Sequence, residues 1–363
     1  MHHLLTKLKS ISPLYFISAG VTLLGLILLW VVFFHTPSTA THAGDTLIEL
    51  EEAVAEDCEY RRAIDGVCVD IASQRDPDLV GIMIENHYEA RPVSGLTSAS
   101  VVYEAPVEGN YNRFFAVYPV DSSIKKVGPV RSARPYYLDW VSEYPGMMYM
   151  HVGGSPDALE DIDQFGIFDL NEFYRGWYYW RDGARYAPHN VYTSSVLWRK
   201  AMEDYSDNRL QTTDYSLDSW RFEKWGQCEE NCVNEISTVF SGETYSATWE
   251  YNSSTEQYER FEFGEPVVDL QTGDQVVADT LIVQYVDTEV IDGVGRLSME
   301  TIGSGDGILF RNGFKIEGEW RKESREGRTK FYDFDGVDGN EIALKAGKIW
   351  IVVMNGTGSV SYE

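Results

Sequence analysis

The pattern of hydrophobic and polar positions changes character along the chain. From Ile11 to Phe34 no charged residue occurs and Leu, Val, Ile and Phe dominate, which is enough helix to cross a hydrocarbon core about 30 Å thick. Residues 35–57 are rich in Thr, Ala, Ser and acidic side chains without periodicity, the composition of a tether. Short apolar runs bounded by turn residues then follow: Leu79-Val80-Gly81-Ile82-Met83-Ile84, Ser100-Val101-Val102-Tyr103, Phe114-Phe115-Ala116-Val117-Tyr118 and Met147-Met148-Tyr149-Met150-His151-Val152. These predict buried strands, and helical periods at 136–141, 157–164 and 195–205 predict covering helices. From about Asn234 the period becomes two, as in Ser246-Ala247-Thr248-Trp249-Glu250-Tyr251, with hairpin signals at Asn252-Ser253, Thr272-Gly273-Asp274, Asn312-Gly313 and Asp338-Gly339.

The expected architecture is α+β or α/β: a mixed sheet with covering helices, a mostly antiparallel β domain after it, and one N-terminal transmembrane helix. The divisions are a cytoplasmic tail (1–10), the helix (11–34), a linker with a Cys58-to-Cys68 loop (35–75), an α/β domain (76–233) and a β-rich domain (234–363). Lys7 and Lys9 precede the apolar segment and the first acidic residue is Asp45, so the positive-inside bias places the bulk of the chain outside the cytoplasm. A cleaved signal peptide is the competing reading, because Ala40-Thr41-His42-Ala43 offers small residues, but a secretory apolar region is usually shorter. An uncleaved, single-pass membrane anchor is therefore expected.

Charge narrows the partners. The chain carries a formal −27. Removing Lys7 and Lys9 from the 30 basic residues leaves 28 against 57 acidic ones, a net −29 for the exported part. Nucleic acid needs clustered Lys and Arg and is excluded as a partner, while the membrane is met through the N-terminal helix. The four cysteines fall as Cys58 with Cys68 and Cys228 with Cys232. An even count outside the cytoplasm suggests two local disulfides, and neither pair has the spacing of a zinc knuckle.

Candidate chemistry gathers at two strand-to-helix transitions. In Gly128-Pro129-Val130-Arg131-Ser132-Ala133-Arg134-Pro135, Pro135 fits a first helical turn flanked by Arg131 and Arg134. In Gly153-Gly154-Ser155-Pro156-Asp157, Ser155 can cap and the glycines permit close backbone approach. Helix starts of this kind bind anions, and two on neighbouring strands would line one crevice; the bland alternative is that they only start helices. Glu104, Glu108, Arg113, His87, His151, His189 and Asn190 stand beside strand ends. Three readings compete, in order of preference: arginines holding a phosphate or carboxylate while a His or Glu acts as acid or base; His87, His151 and His189 with Glu104 as metal ligands; and Ser155 with His189 as a nucleophilic set. No H-x3-H spacing exists and no metal is assigned. The third reading lacks a G-x-S-x-G elbow. Asp333-Phe334-Asp335-Gly336 fails as a calcium loop, since Gly stands fourth and the twelfth-place Glu is missing. No motif specifies a cofactor.

The runs Glu85-Asn86-His87, Ala90-Arg91-Pro92, Val102-Tyr103-Glu104-Ala105-Pro106-Val107-Glu108-Gly109, Arg113-Phe114, Gly128 to Pro135, His151-Val152-Gly153-Gly154-Ser155-Pro156 and Ala187-Pro188-His189-Asn190 resemble the YerB-like lipoprotein family, the bacterial domain of unknown function 3048. In the second half Trp249-Glu250-Tyr251, Gly318-Glu319-Trp320-Arg321-Lys322 and Gly347-Lys348-Ile349-Trp350-Ile351 are similar to that family's C-terminal module. The resemblance covers about residues 76–354 and implies a mixed domain followed by a β domain; it supplies no reaction. This chain departs from lipoprotein members in having no lipid-accepting cysteine after its apolar run. The resulting expectation is an extracytoplasmic envelope protein that binds, and by extension processes, an anionic glycan, peptide or lipid-phosphate. His151, His189, Glu104 and Ser155 are the catalytic candidates, and Arg113, Arg131, Arg134, Gly153, Gly154, Asn190, His87 and Glu108 the ligand-binding ones. Any activity would be that of a hydrolase or transferase. The alternative is a non-catalytic scaffold presenting its β domain to another envelope protein.

Overall fold

The computed structural model describes residues 58–206, 217–335 and 338–363. The segment 11–34 lies outside them, and among the described residues no helix is long and apolar enough to cross a membrane. The strands of the two main sheets are, in chain order, β1 (Leu79–Ile84), β2 (Val101–Pro106), β3 (Asn112–Pro119), β4 (Met148–His151), β5 (Asp169–Asn171), β6 (Glu235–Ser241), β7 (Tyr245–Asn252), β8 (Gln257–Glu262), β9 (Thr280–Tyr285), β10 (Gly303–Arg311), β11 (Phe314–Lys322), β12 (Lys330–Asp333), β13 (Ile349–Met354) and β14 (Ser359–Tyr362). The helices are α1 (Pro135–Val141), α2 (Pro156–Gln164), α3 (Glu172–Arg175) and α4 (Ser195–Asp204).

Ten strands form one mixed sheet in the order β12-β11-β10-β9-β13-β2-β3-β1-β4-β5. Every residue of β1, β2, β3 and β13 is buried, which is why these strands read as near-continuous apolar runs: both faces of the sheet are covered. Val80, Ile82, Ile84, Trp350 and Val352 pack on one side with Trp198 of α4 and with Trp249 of β7. Met83, Ile349, Ile351 and Val353 pack on the other with Tyr137 and Trp140 of α1 and Ile162 of α2. The second sheet holds β8-β7-β6-β14, extended by the short strands Glu265–Pro266 and Val277–Ala278. Its ladders are antiparallel, and strict alternation of burial along β6 shows one face turned to the core.

The expected mixed sheet, covering helices and antiparallel strands are thus present, with a difference in how they join. The division near residue 234 does not separate two sheets. β13 lies parallel to β2 on one side and to β9 on the other, so strands from both halves complete one sheet. The two expected disulfides are formed, Cys58 to Cys68 and Cys228 to Cys232, each with Cα atoms 5.6 Å apart.

Candidate functional site

β1 ends at Ile84 and the chain leaves the sheet as Glu85-Asn86-His87 before the 3-10 turn Tyr88–Ala90. The segment 127–131 runs alongside that exit: Glu85 N donates to Pro129 O at 2.9 Å and Arg131 N to Met83 O at 2.9 Å. Gly128 sits there at φ +138, and a Cβ would lie 2.8 Å from both Val130 N and Val191 O, so only glycine fits. The loop 182–190 closes over the top, because Arg185 donates Nη2 to Pro92 O at 2.7 Å and Nη1 to Ala90 O. This bonding brings His189 against His87, with ring centroids 5.1 Å apart and nearly parallel planes. The β2–β3 hairpin supplies the remaining wall through Val107, Tyr111, Asn112 and Arg113. The result is a crevice of about 270 Å³ lined by Glu85, His87, Glu89, Val107, Tyr111, Asn112, Arg113, Arg131 and His189.

Its electrostatics are unusual at one residue. The Arg113 side chain is buried, and its guanidinium donates Nη1 to the Ser132 carbonyl at 3.1 Å. Among the described residues it has no carboxylate within ion-pair distance. Burial, reinforced by the charges of Arg134 and Arg131, pulls its pKa down to about 10. Arg131 has a partner: its Nε lies 2.9 Å from Glu85 Oε1. Glu85 is itself buried and takes His189 Nδ1 on its other oxygen at 2.8 Å. The His87 imidazole is held below its ordinary pKa by burial, with His189 and Arg131 lowering it further and Glu85 and Glu89 opposing, so it is neutral near pH 7. His87 Nδ1 accepts the Glu89 N–H at 3.3 Å, and Glu89 Oε2 lies 3.2 Å from His189 Nε2 and 3.7 Å from His87 Nδ1.

Of the residues singled out from the sequence, His87, Arg113, Arg131 and His189 meet in this crevice. The others stand elsewhere, each for a visible reason. Arg134 is the N-cap residue of α1 and pairs with Glu108 through Nε at 2.5 Å and Nη2 at 2.8 Å. His151 is fully buried, with Nδ1 2.7 Å from Gly153 O and Nε2 3.1 Å from Asp169 Oδ2. Ser155 caps α2 by accepting from Ala158 N at 3.3 Å. Gly153 donates its N–H to Asn171 Oδ1 at 3.0 Å, and Gly154 bridges to Ala133, tying the two helix starts together as structure. Asn190 accepts from Arg181 at 3.1 Å.

Glu104 is a correction of a different kind. It is fully buried and takes both Arg260 nitrogens, at 2.7 and 2.8 Å, together with Trp350 Nε1 at 2.8 Å. Asn112 also donates to it and stands between it and the crevice. A carboxylate so saturated cannot serve as a base there. Glu85, Glu89, Tyr111 and Asn112 were not among the sequence candidates. For Glu89 the only signal is its place two residues after His87, and for Asn112 its place next to Arg113.

The chain matches two family models, described as the N-terminal domain of a protein of unknown function (DUF3048) over residues 66–211 and the DUF3048 C-terminal domain over residues 236–351. A curated relative printed as "Putative lipoprotein YerB", from Bacillus subtilis strain 168, is 29% identical over 276 residues, 76% of this chain and 80% of the relative. The crystal structure of the YerB protein from Bacillus subtilis is similar with a TM-score of 0.70 at 26% identity, covering 84% of this chain and 100% of that one.

Proposed function

The chain belongs to the DUF3048 family of proteins of unknown function, and on that premise we propose that it is a membrane-anchored, extracytoplasmic protein that binds an anionic envelope ligand in the crevice between Arg113, Arg131 and the His87–His189 pair. Arg113 carries the reading. A buried guanidinium without a carboxylate is costly unless something else supplies the negative charge, and its free donors border an open crevice. A guanidinium fork matches a carboxylate or phosphate. The volume, about 270 Å³, is near the low end for small-molecule sites and suits the charged end of a glycan, peptide or lipid-phosphate.

The location is read from the apolar, uncharged segment 11–34 with lysines ahead of it and from the lipoprotein name of the relative. The test is a thermal-shift titration of the full chain in detergent with inorganic phosphate, muramyl dipeptide and a polyisoprenyl phosphate. At least one should raise the melting temperature of the wild type and leave Arg113→Met unmoved. A shift that survives intact in Arg113→Met and Arg131→Gln would defeat the assignment.

A further inference from the structure

We infer that His87, Glu89 and His189 form a binding site for one divalent transition-metal ion of the zinc class, with its open coordination position facing Arg113 and Arg131. The ion is read from the histidine rim alone. Its part in holding an anion rests on the ligand reading above, whereas its binding does not.

The geometry has four parts. First, one donor atom from each of the three residues lies within 4.8 Å of the others. Glu89 Oε2 is 3.2 Å from His189 Nε2 and 3.7 Å from His87 Nδ1, against about 3.3 Å for the edge of a tetrahedron with zinc bonds near 2 Å. Second, the ring nitrogens face where an ion needs them. Glu85 occupies the Nδ1 side of His189 at 2.8 Å, so Nε2 is the nitrogen turned toward Glu89, at 3.2 Å. His87 Nδ1 accepts a backbone N–H at 3.3 Å, a long bond that an ion would displace.

Third, the supporting shell is in place. Metal-bound histidines almost always give their second N–H to a carboxylate, a backbone carbonyl or a water that fixes ring and tautomer. Glu85 does so for His189 and is itself buried and held by Arg131 at 2.9 Å. The His87 ring is packed by Tyr88, with centroids 4.3 Å apart, and by Tyr111 at 5.8 Å. Fourth, charge favours the combination. Glu85 and Glu89 offset Arg113 and Arg131, so a dication with two neutral imidazoles leaves the crevice positive, the condition that draws a phosphate or carboxylate oxygen to the open position. Two His and one carboxylate with a vacant position is the donor set of zinc sites that present a small ligand.

No sequence spacing announces this set. His87 and Glu89 flank one turn, and His189 arrives through the Arg185 bonds to Ala90 and Pro92.

The test uses the full chain in detergent with His2→Ala and His3→Ala, which removes two competing imidazoles near the N-terminus. After stripping with a chelator it is titrated with Zn2+ by calorimetry and with Co2+ by visible absorption. One equivalent of Zn2+ should bind, and Co2+ should give the d–d bands of a low-coordinate nitrogen and oxygen site. His87→Ala and His189→Ala should each weaken binding on the order of 100-fold or more, and Glu85→Gln by roughly 10- to 100-fold. Glu89→Gln alters an exposed carboxylate, so its expected loss of affinity comes with an unchanged circular dichroism melt. No saturable Zn2+ site, or an affinity unchanged in both Glu89→Gln and the His87→Ala, His189→Ala double variant, would overturn the inference. Arg113→Met should keep Zn2+ binding and lose the phosphate-induced thermal shift. Zn2+ binding without any phosphate effect defeats only the ligand reading, and a phosphate effect without Zn2+ binding defeats only the ion.

Discussion

At the scale of single residues, the charged groups sort by whether their partners satisfy them. Arg134, His151 and Glu104 looked like site residues because charge beside an apolar strand needs a partner, and each has one: Glu108, Asp169 and Arg260. Among the described residues Arg113 has no carboxylate within ion-pair distance, and its guanidinium bonds the Ser132 carbonyl. Sequence cannot separate these cases, since partner choice depends on distances across the fold; the same rule that flags a buried charge flags the satisfied and the unsatisfied alike. The Glu104 assignment has a direct check. Its carboxylate accepts from Arg260, Trp350 and Asn112, and cation–π contacts place Arg260 among Phe114, Trp249 and Trp350. Glu104→Gln leaves the buried guanidinium with Glu262, 3.1 Å from Nη2, as its remaining carboxylate, and should lower unfolding free energy by about 3 kcal/mol in urea melts. A loss below about 1 kcal/mol would mean the pair is not what holds β2 against the second sheet.

At the scale of elements, patterning was most legible where burial is uniform or strictly alternating. The run 79–84 is the strand Leu79–Ile84, and the helical periods at 136–141 and 157–164 are α1 and α2, each gaining its prolines at N1. What joins elements was less legible. Lys348, just before β13, donates Nζ to the carbonyls of Leu96, Thr97 and Ala99 at 2.7–2.8 Å and thereby ties the turn before β2 to β13. Burial lowers its pKa to about 8, against the opposing pull of Asp279, Asp269 and Asp65. The unfolded chain keeps the ordinary value near 10.5, so between those values it holds the extra proton and stability rises with pH; below about 8 both states are charged and the burial cost is fully present. Urea melts from pH 8 to 9.5 should show the wild type gaining up to about 2 kcal/mol. Lys348→Met should lack that slope and lie lower throughout, because three carbonyls lose their donor. Equal slopes in the two proteins would remove the lysine as the source.

At the scale of the molecule, the two family models divide the chain between residues 211 and 236, and a change of hydrophobic period near Asn234 marks the same place. The sheet ignores that division. Val101 to Glu104 of β2 pair with Ile349 to Val352 of β13, whose other edge pairs with β9. A piece ending near residue 234 would expose the whole edge of β2, a row of unpaired backbone groups beside apolar side chains. Residues 58–234 expressed alone should therefore lack a cooperative melt and aggregate, and adding residues 235–363 as a separate chain should restore solubility. A dispersed amide spectrum from the first piece alone would show the halves to be independent. The position of β13 also sets the order of events during folding. Contacts between β2 and β13 join segments made far apart in time, and non-local pairings of this kind slow folding because the loop must close before anything rewards it. The first half of a newly made chain must wait, with β2 open, until Ile349–Met354 arrive. Until then the open edge of β2 is a template for pairing with other chains, so the hazard of aggregation falls in the interval between making β2 and making β13.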